Sequence, residues 1–239
     1  MTLEPGSQIE LSGAPFRSVY DGRAESDAHW ADLAPVIEEL GLVWLALGSH
    51  PFGTVEDLGW DALEAQLRTN VLGWHELTRR LLPAMRARGA GRIIQNSSVL
   101  GFVAMPFRGA YTASKFAIEG LSDTLRLELR GTDIHVSLVQ PGPITSRFRP
   151  NAYLAYQRNI DPRVSVHRER YEGMEQRLTK EGPVVPFTLP PEAVLKKVIH
   201  ALESPRPKAR YCVTFPTYLF ATLKRLLPDR ALDRILARY

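Results

Sequence analysis

Short apolar segments of strand length alternate along this chain with longer segments of helical periodicity, and no other feature limits its fold as strongly. Residues 42–47 form one continuous apolar run, and residues 92–96 and 134–139 are two further predicted strands. Residues 60–88 and 110–129 carry apolar side chains at helical spacing. Strands alternating with helices of this length predict a doubly wound α/β domain, in which helices cover both faces of a parallel sheet.

The remaining segments complete this single predicted domain, which spans residues 1–239. A further helix is predicted at residues 27–40, and the last helix and strand of the sheet are predicted at 190–202 and 211–213. Residues 1–26 contain scattered Pro and Gly, which predicts an irregular N-terminal segment.

Two segments in the second half of the chain have functional interpretations. Residues 143–189 are rich in Pro, Arg and Tyr and show weak periodicity, so we expect a long connection that acts as a substrate loop. Residues 216–239 place leucines on one side of two predicted helices that are separated by Pro228. These amphipathic helices are expected to pack on the protein's own core or at a dimer interface, and contact with a membrane surface is the alternative.

The composition is typical of a soluble globular protein, with 44% hydrophobic and 23% charged residues in a chain of 239. The single cysteine, Cys212, lies in a predicted strand and is expected to be a small buried side chain. The N-terminus lacks the basic flank and apolar run of a secretory signal, and no window of about 18 apolar residues occurs. These features predict a cytoplasmic protein.

The net charge of +4 is unevenly distributed along the chain. Residues 145–239 carry 18 of the 30 Lys and Arg side chains but only 9 of the 26 Asp and Glu side chains. A basic C-terminal third could attract an anionic ligand or surface. The basic residues form no dense run and accompany no nucleic-acid motif, so a solvated surface is the preferred interpretation and no nucleic-acid partner is predicted.

Three side chains suggest proton chemistry. Tyr111 and Lys115 lie four residues apart in a predicted helix and therefore share one face of it, and Ser98 lies 13 residues upstream of Tyr111. A free tyrosine has a pKa near 10, and a nearby ammonium group favours the phenolate and lowers that pKa. Tyr111 is then a candidate general acid or base, and Ser98 could position the oxygen that is protonated.

The predicted topology gives independent support to this location. Ser98 follows the predicted strand at 92–96, and Pro141 and Gly142 follow the strand at 134–139. In open parallel sheets, ligands bind beyond the carboxyl ends of the strands. The sequence therefore places the candidate site at this edge.

Four motifs in this order and spacing resemble the short-chain dehydrogenase/reductase family, from about residue 27 to the end of the chain. They are Asn70-Val71-Leu72-Gly73, Asn96-Ser97-Ser98, Tyr111 with Lys115, and Pro141-Gly142-Pro143-Ile144-Thr145. The resemblance implies a Rossmann-like oxidoreductase that uses NAD or NADP, with no metal ion. It also implies a homodimer or homotetramer in which the helices at 60–88 and 110–129 pair between subunits.

The same resemblance assigns a role to each matching residue. It implies a Ser98-Tyr111-Lys115 site in which Asn70 completes a proton relay through water to Lys115. Tyr111 and Lys115 would also lie beside the cofactor, where Lys115 binds the nicotinamide ribose. The Pro141-Gly142 segment, with Ile144 and Thr145, would contact the nicotinamide carboxamide.

The chain departs from the family pattern in its first part. None of its 17 glycines forms the glycine-rich turn Gly-x-x-x-Gly-x-Gly that binds the cofactor pyrophosphate in this family. Of the family's Asn-Asn-Ala-Gly, only Gly48 is present. We therefore expect an N-terminally incomplete domain, whose strand at 42–47 would become a sheet edge. This edge could be covered by residues 7–12, by another chain, or by nothing if the chain is a fragment.

Three functions remain open at this point. The first is an oxidoreductase that acts on an apolar alcohol or ketone, suggested by several aromatic and apolar residues near the motifs. These are Phe102, Val103, Met105, Phe107, Tyr153 and Tyr156. The second is a degenerate subunit that binds no NAD(P), and the third is a cofactor-independent enzyme on the same fold. Halohydrin dehalogenases are of the third kind, but they carry Arg where this chain has Lys115.

Overall fold

The computed structural model describes residues 2–4, 8–10, 52–182 and 185–238. The helix predicted at 27–40 and the strand predicted at 42–47 lie outside these residues. Near the N-terminus, strands β1 (Thr2–Glu4) and β2 (Gln8–Glu10) pair antiparallel with Leu3 opposite Ile9. The other residues of the segment at 1–26, which the sequence predicted to be irregular, lie outside the described residues.

The central sheet of the described chain is parallel and has the order β3 (Ala90–Asn96), β4 (Asp133–Gln140) and β5 (Arg210–Cys212). All three strands were predicted within two residues of these bounds. Cys212 was expected to be buried, but it is half-buried because β5 pairs only with β4 among the described strands.

Helices precede and follow β3. Helix α1 (Trp60–Leu67) continues through a π-helical turn (Arg68–Leu72) into α2 (Gly73–Arg88), and α3 (Gly109–Glu128) connects β3 to β4. Pro83 was expected to bend or end the second helix, but α2 continues past it to Gly89, whose φ of 76° suits a helix C-terminus.

Strand alternation places two cores on opposite faces of the sheet. Ile93 packs with Met85 of α2 and with Leu129, which follows α3. Its neighbour Ile94 packs on the other face, against a cluster that includes Val198 of α6 (Glu192–Glu203). Because successive side chains of a strand point to opposite faces, this arrangement confirms the doubly wound fold.

The segment at 143–189 is not the irregular connection that weak periodicity predicted. It contains helices α4 (Phe148–Asn159) and α5 (Arg168–Thr179). Their buried tyrosines, Tyr156 and Tyr171, stack with ring centroids 5.6 Å apart and pack against Phe52. Aromatic rings replace the usual leucine stripe here, which is why the helical pattern is weak in the sequence.

The amphipathic C-terminal segment forms α7 (Phe215–Leu226) and α8 (Asp229–Leu236). Phe220, Leu232 and Leu236 bury Val103, which follows Ser98 closely in the chain. The helices therefore pack on the protein's own core, as the sequence favoured. No helix among the described residues has the length and apolarity needed to cross a membrane.

Candidate active site

The ends of β3 and β4 are held together beyond the regular sheet. Ser97 N donates to Val139 O at 2.8 Å, and Val99 N donates to Pro141 O at 2.8 Å. Ser98 lies between these two bonds and caps a short 3₁₀ turn by accepting a hydrogen bond from Leu100 N at 3.1 Å. The backbone therefore fixes Ser98 at the carboxyl edge of the sheet, where the sequence placed it.

Helix α3 brings Tyr111 and Lys115 to the same edge. Tyr111 is only 4% exposed and Lys115 only 2%. Lys115 Nζ donates to Asn96 O at 2.7 Å and lies 5.3 Å from the centroid of the Tyr111 ring, within the range of a cation–π contact. The structure thus brings Ser98, Tyr111 and Lys115 together in one buried group.

Burial shifts the pKa of both proton-handling groups towards the uncharged form. It raises the pKa of Tyr111 to about 12, and a hydrogen bond with Ser98 opposes part of this rise. Burial lowers the pKa of Lys115 to about 7, although the charge of Glu119 favours the ammonium. The net shift of the Tyr111 pKa is therefore upwards, whereas the spacing of Tyr111 and Lys115 suggested a downward shift, because loss of hydration is the largest contribution.

Asn70 lies in the π-helical turn and is buried, at 6% exposure. Its Nδ2 donates to Ser114 Oγ at 3.1 Å, and Ser114 Oγ donates to Tyr111 O at 2.7 Å. Asn70 thus contacts the helix turn that carries Lys115 rather than Lys115 itself. A π turn widens the helix by one residue and is frequent at functional sites, but the sequence pattern gave no sign of it.

The segment after β4 is held closely between two neighbouring elements. A Cβ atom at Gly142 would lie 2.2 Å from Thr214 Oγ1, so only glycine permits this approach to the start of α7. On the other side, Thr145 N donates to Leu189 O at 2.9 Å. Thr145 is exposed, whereas Pro141, Gly142 and Ile144 are half-buried.

The sequence did not predict the contacts that two phenylalanines make near the site. Phe148, the first residue of α4, packs edge-on against Tyr111 with ring centroids 5.5 Å apart. Phe107 was considered only as a possible substrate contact, yet it adopts a left-handed backbone with φ of 63°, which is uncommon for a bulky residue. Its ring contacts Tyr171 of α5 at 5.3 Å. The first helix of the substrate loop, α4, therefore packs against the ring of Tyr111 through Phe148.

A polar cluster attaches this covering segment to the loop before α1. Asp57 Oδ2 accepts hydrogen bonds from Thr54 Oγ1 at 2.5 Å, Ser165 Oγ at 2.6 Å and Tyr171 OH at 2.7 Å. These hydrogen bonds from Ser165 and Thr54 lower the pKa of Asp57. We call Thr54, Asp57, Ser165 and Tyr171 the Asp57 cluster.

The residues around Lys115 fit a group that both donates and accepts hydrogen bonds, as the ribose of a nicotinamide nucleotide does. Nζ of a lysine has three donors, and the described chain supplies one acceptor for it, Asn96 O. Asn96 Oδ1 is buried at the same strand end and has no hydrogen-bond partner in the structure. Among the described residues, a donor of Lys115 and the Oδ1 acceptor of Asn96 are thus both without a protein partner at this strand end. Residues 11–51 lie outside the described chain.

Within the described ranges, no group of three or more His, Cys, Asp and Glu side chains is arranged to hold a metal ion.

Comparison with known proteins agrees with this geometry. A family model described as short chain dehydrogenase matches residues 24–156. The uncharacterised oxidoreductase YbbO of Escherichia coli is 45% identical over 79% of this chain and 64% of its own length. Human 17-beta-hydroxysteroid dehydrogenase type 1 is 33% identical over 96% of this chain and 66% of its own length. The chain thus spans about two thirds of the length of these relatives.

Solved structures show the same fold at lower identity. A short-chain dehydrogenase/reductase from Burkholderia phymatum, crystallised in complex with NAD, superposes with a TM-score of 0.63 at 23% identity. The match covers 90% of this chain and 72% of that one.

Proposed function

The chain belongs to the short-chain dehydrogenase/reductase family, and from this premise we propose that it is an oxidoreductase that interconverts a carbonyl and an alcohol with NAD or NADP. One observation carries the proposal. Tyr111 is hydrogen-bonded to Ser98, and Lys115 Nζ lies 5.3 Å from the centroid of the Tyr111 ring.

Tyr111 acts as the general acid in carbonyl reduction. Its raised pKa keeps the phenol protonated at neutral pH, so it holds a proton to give to the carbonyl oxygen. Ser98 would position the same oxygen through a hydrogen bond from its hydroxyl, whose Oγ accepts from Leu100 N. In alcohol oxidation the proton returns from the substrate hydroxyl to Tyr111.

Lys115 would hold the ribose of the cofactor through the N–H groups that Asn96 O does not use. The nicotinamide, when bound, supplies hydride to the carbonyl carbon or accepts it from the alcohol carbon. Pro141, Gly142, Ile144 and Thr145 would contact the carboxamide, since the close packing of Gly142 on Thr214 fixes this segment next to Ser98. Asn70 would support the site by ordering Ser114 and, through water, Lys115.

The surroundings of Tyr111 favour an apolar substrate. Phe148 covers Tyr111, and it packs on a core cluster that contains Phe52, Tyr156 and Tyr171. Phe102, Val103 and Met105, by contrast, belong to the core under α7 and α8 and no longer support this inference. We therefore expect long-chain or cyclic ketones and alcohols to react faster than small hydrophilic ones.

Cofactor binding tests the proposal first. Titration of the whole chain with NADH and NADPH, followed by fluorescence or calorimetry, is expected to show saturable binding of at least one of them. Absence of binding of both at millimolar concentration would contradict the proposal and favour a subunit that does not use NAD(P).

Tyr111→Phe tests the role of the phenol. The variant should bind the cofactor with nearly unchanged affinity but lose about 10²–10⁴ of the turnover rate, which is the range that a general acid contributes. Tyr218→Phe is the matched control, because it removes the same hydroxyl from a residue that is 51% exposed. Equal rates for the two variants would show that another group donates the proton.

A further inference from the structure

Glu119 is a buried carboxylate that the proposed chemistry does not use. It lies one helical turn after Lys115 on α3 and is only 7% exposed. A carboxylate at such a position needs several donors to remain charged. The structure supplies three of them, each from a different part of the sheet.

One donor directly follows β3, the second is at the carboxyl end of β4, and the third is at the start of β5. Ser97 Oγ donates to Glu119 Oε1, and Gln140 Nε2 donates to the same oxygen at 2.8 Å. Arg210 Nε donates to Glu119 Oε2 at 3.1 Å. One carboxylate thus connects α3 to all three strands of the described parallel sheet.

The connection reaches the proposed site through neighbouring residues. Ser97 lies between Asn96, whose carbonyl accepts from Lys115, and Ser98. Gly101 leaves the space that the carboxylate needs, because a Cβ there would lie 3.1 Å from Glu119 Oε1 and 2.4 Å from Ser97 Oγ. A displacement of Glu119 would therefore move the strand end that carries two site residues.

We propose that Glu119 is a positioning residue of this site, which fixes the strand end carrying Asn96 and Ser98 and serves as the buried counter-charge of Lys115. The inference takes from the proposed function only the importance of Lys115 and Ser98. It adds a residue that contacts neither substrate nor cofactor.

The charged and titratable groups near Lys115 determine how its pKa should respond to substitutions. Tyr111 is its other titratable neighbour on α3, and Glu119 is the anion that favours the ammonium form. Arg210 shares the charge of Glu119 and also pairs with Asp123 at 2.5 Å. The same anion also affects Cys212 of β5. Burial raises the pKa of its thiol most, and the charge of Glu119 raises it further.

The test is a pH titration of Lys115 by NMR in the protein without cofactor or substrate. Selective ¹³C labelling of the six lysines makes the Lys115 signal assignable by its loss in Lys115→Arg. In Glu119→Gln, the titration midpoint of Lys115 should fall by about one pH unit or more, since a nearby buried charge is removed.

Asp123→Asn is the matched control. It removes the same charge from the same helix and breaks another bond to Arg210, but Asp123 is not among the groups that shift the pKa of Lys115. Its Lys115 midpoint should stay within about 0.3 pH units of the wild type. A Glu119→Gln midpoint as close to the wild type as that of Asp123→Asn would overturn the proposal.

Two further variants keep the proposal testable if Glu119→Gln does not fold. Glu119→Asp retains the charge and should restore the midpoint most of the way to that of the wild type. Arg210→Met removes the cation that pairs with Glu119 Oε2, so the charge of Glu119 acts more strongly on Lys115 and the midpoint should rise; a midpoint that does not rise would also overturn the proposal. The titration needs no NAD(P), so a failure to bind cofactor would leave this result intact and the two proposals can fail separately.

Discussion

Tyr111 and Lys115 are both buried, and burial favours the uncharged form of each side chain. The phenol therefore keeps its proton at neutral pH but releases it less readily than a free tyrosine does. Motif chemistry alone suggested the opposite shift for Tyr111, because spacing shows which groups are close but not how much water surrounds them. The residue types and their order were predictable from the sequence, whereas the sign of this shift required the packing of Phe148.

The raised pKa of Tyr111 predicts a pH dependence that differs between the two directions. Carbonyl reduction needs the protonated phenol. Its rate should therefore already be high at neutral pH and should not increase at higher pH. Alcohol oxidation needs the phenolate, whose fraction rises about tenfold per pH unit below the pKa. Initial rates at saturating cofactor between pH 6 and 10 should show oxidation increasing with pH. Parallel profiles in the two directions would contradict this assignment.

Lys115→Met should stabilise the protein while abolishing its chemistry. Replacement of the buried amine should raise the free energy of unfolding by about 1–3 kcal/mol at neutral pH, because Glu119 keeps its hydrogen bonds from Ser97, Gln140 and Arg210. The lowered pKa means that the unfolded wild type binds more protons between about pH 7 and 10.5. Wild-type stability therefore rises with pH in this window, and the advantage of the variant shrinks.

Thermal unfolding of the wild type and Lys115→Met at pH 7 and pH 10 measures this effect. Lys224→Met is the control, since its lysine is exposed. A destabilised Lys115→Met at pH 7 would show that the bond from Lys115 to Asn96 O outweighs the cost of burial.

The elements around the site differ in how far the sequence defines them. Helices α2 and α3 and the three parallel strands follow from hydrophobic periodicity, because each buries one apolar face. The π-helical turn at Asn70 and helices α4 and α5 do not, since a one-residue bulge leaves no periodic signal and aromatic stacking replaces a leucine stripe. The Asp57 cluster joins residues more than 100 positions apart, which local patterns cannot detect.

The Asp57 cluster is predicted to hold α5 against the loop before α1. Tyr171→Phe removes the hydroxyl that donates to Asp57 and accepts from Thr54 N at 2.8 Å. The loss should destabilise the covering segment by about 1–3 kcal/mol, as for a buried donor or acceptor that loses its partner. Hydrogen exchange in residues 168–179 should become faster, while exchange in β3 and β4 should not change.

Tyr153→Phe provides the comparison for this variant. Tyr153 packs on the same aromatic cluster, with its ring centroid 6.2 Å from that of Tyr156, but takes no part in the Asp57 cluster. Equal exchange in the two variants would mean that the aromatic packing alone holds α5.

At the scale of the whole molecule, exposed apolar side chains on α1, the π turn and α3 support the proposed homo-oligomer. Phe116 is 40% exposed, Leu121 37% and Leu127 58%, and Trp60 and Leu72 are more than half exposed. Single exposed apolar residues need no explanation, but a set on adjacent helices is typical of an interface. We expect these helices to pair between subunits.

Light scattering after size exclusion tests this assembly. The wild type should have at least twice the mass of one chain, and Phe116→Glu with Leu121→Glu should reduce the mass to that of the monomer. Leu154→Glu on α4 introduces the same charge at a position that is 50% exposed and should leave the mass unchanged. A monomeric wild type would contradict the expected pairing.

The central claim is that hydride passes between a nicotinamide and a substrate carbon next to Tyr111. The most direct measurement is isotope transfer: the chain is incubated with an apolar ketone and with NADH or NADPH deuterated at the transferred position of the ring. Mass spectrometry of the alcohol should find one deuterium on the former carbonyl carbon in the wild type and in Tyr218→Phe, and almost none in Tyr111→Phe. Cofactor binding without any deuterium transfer across a panel of long-chain and cyclic ketones, or equal transfer by Tyr111→Phe, would contradict the account.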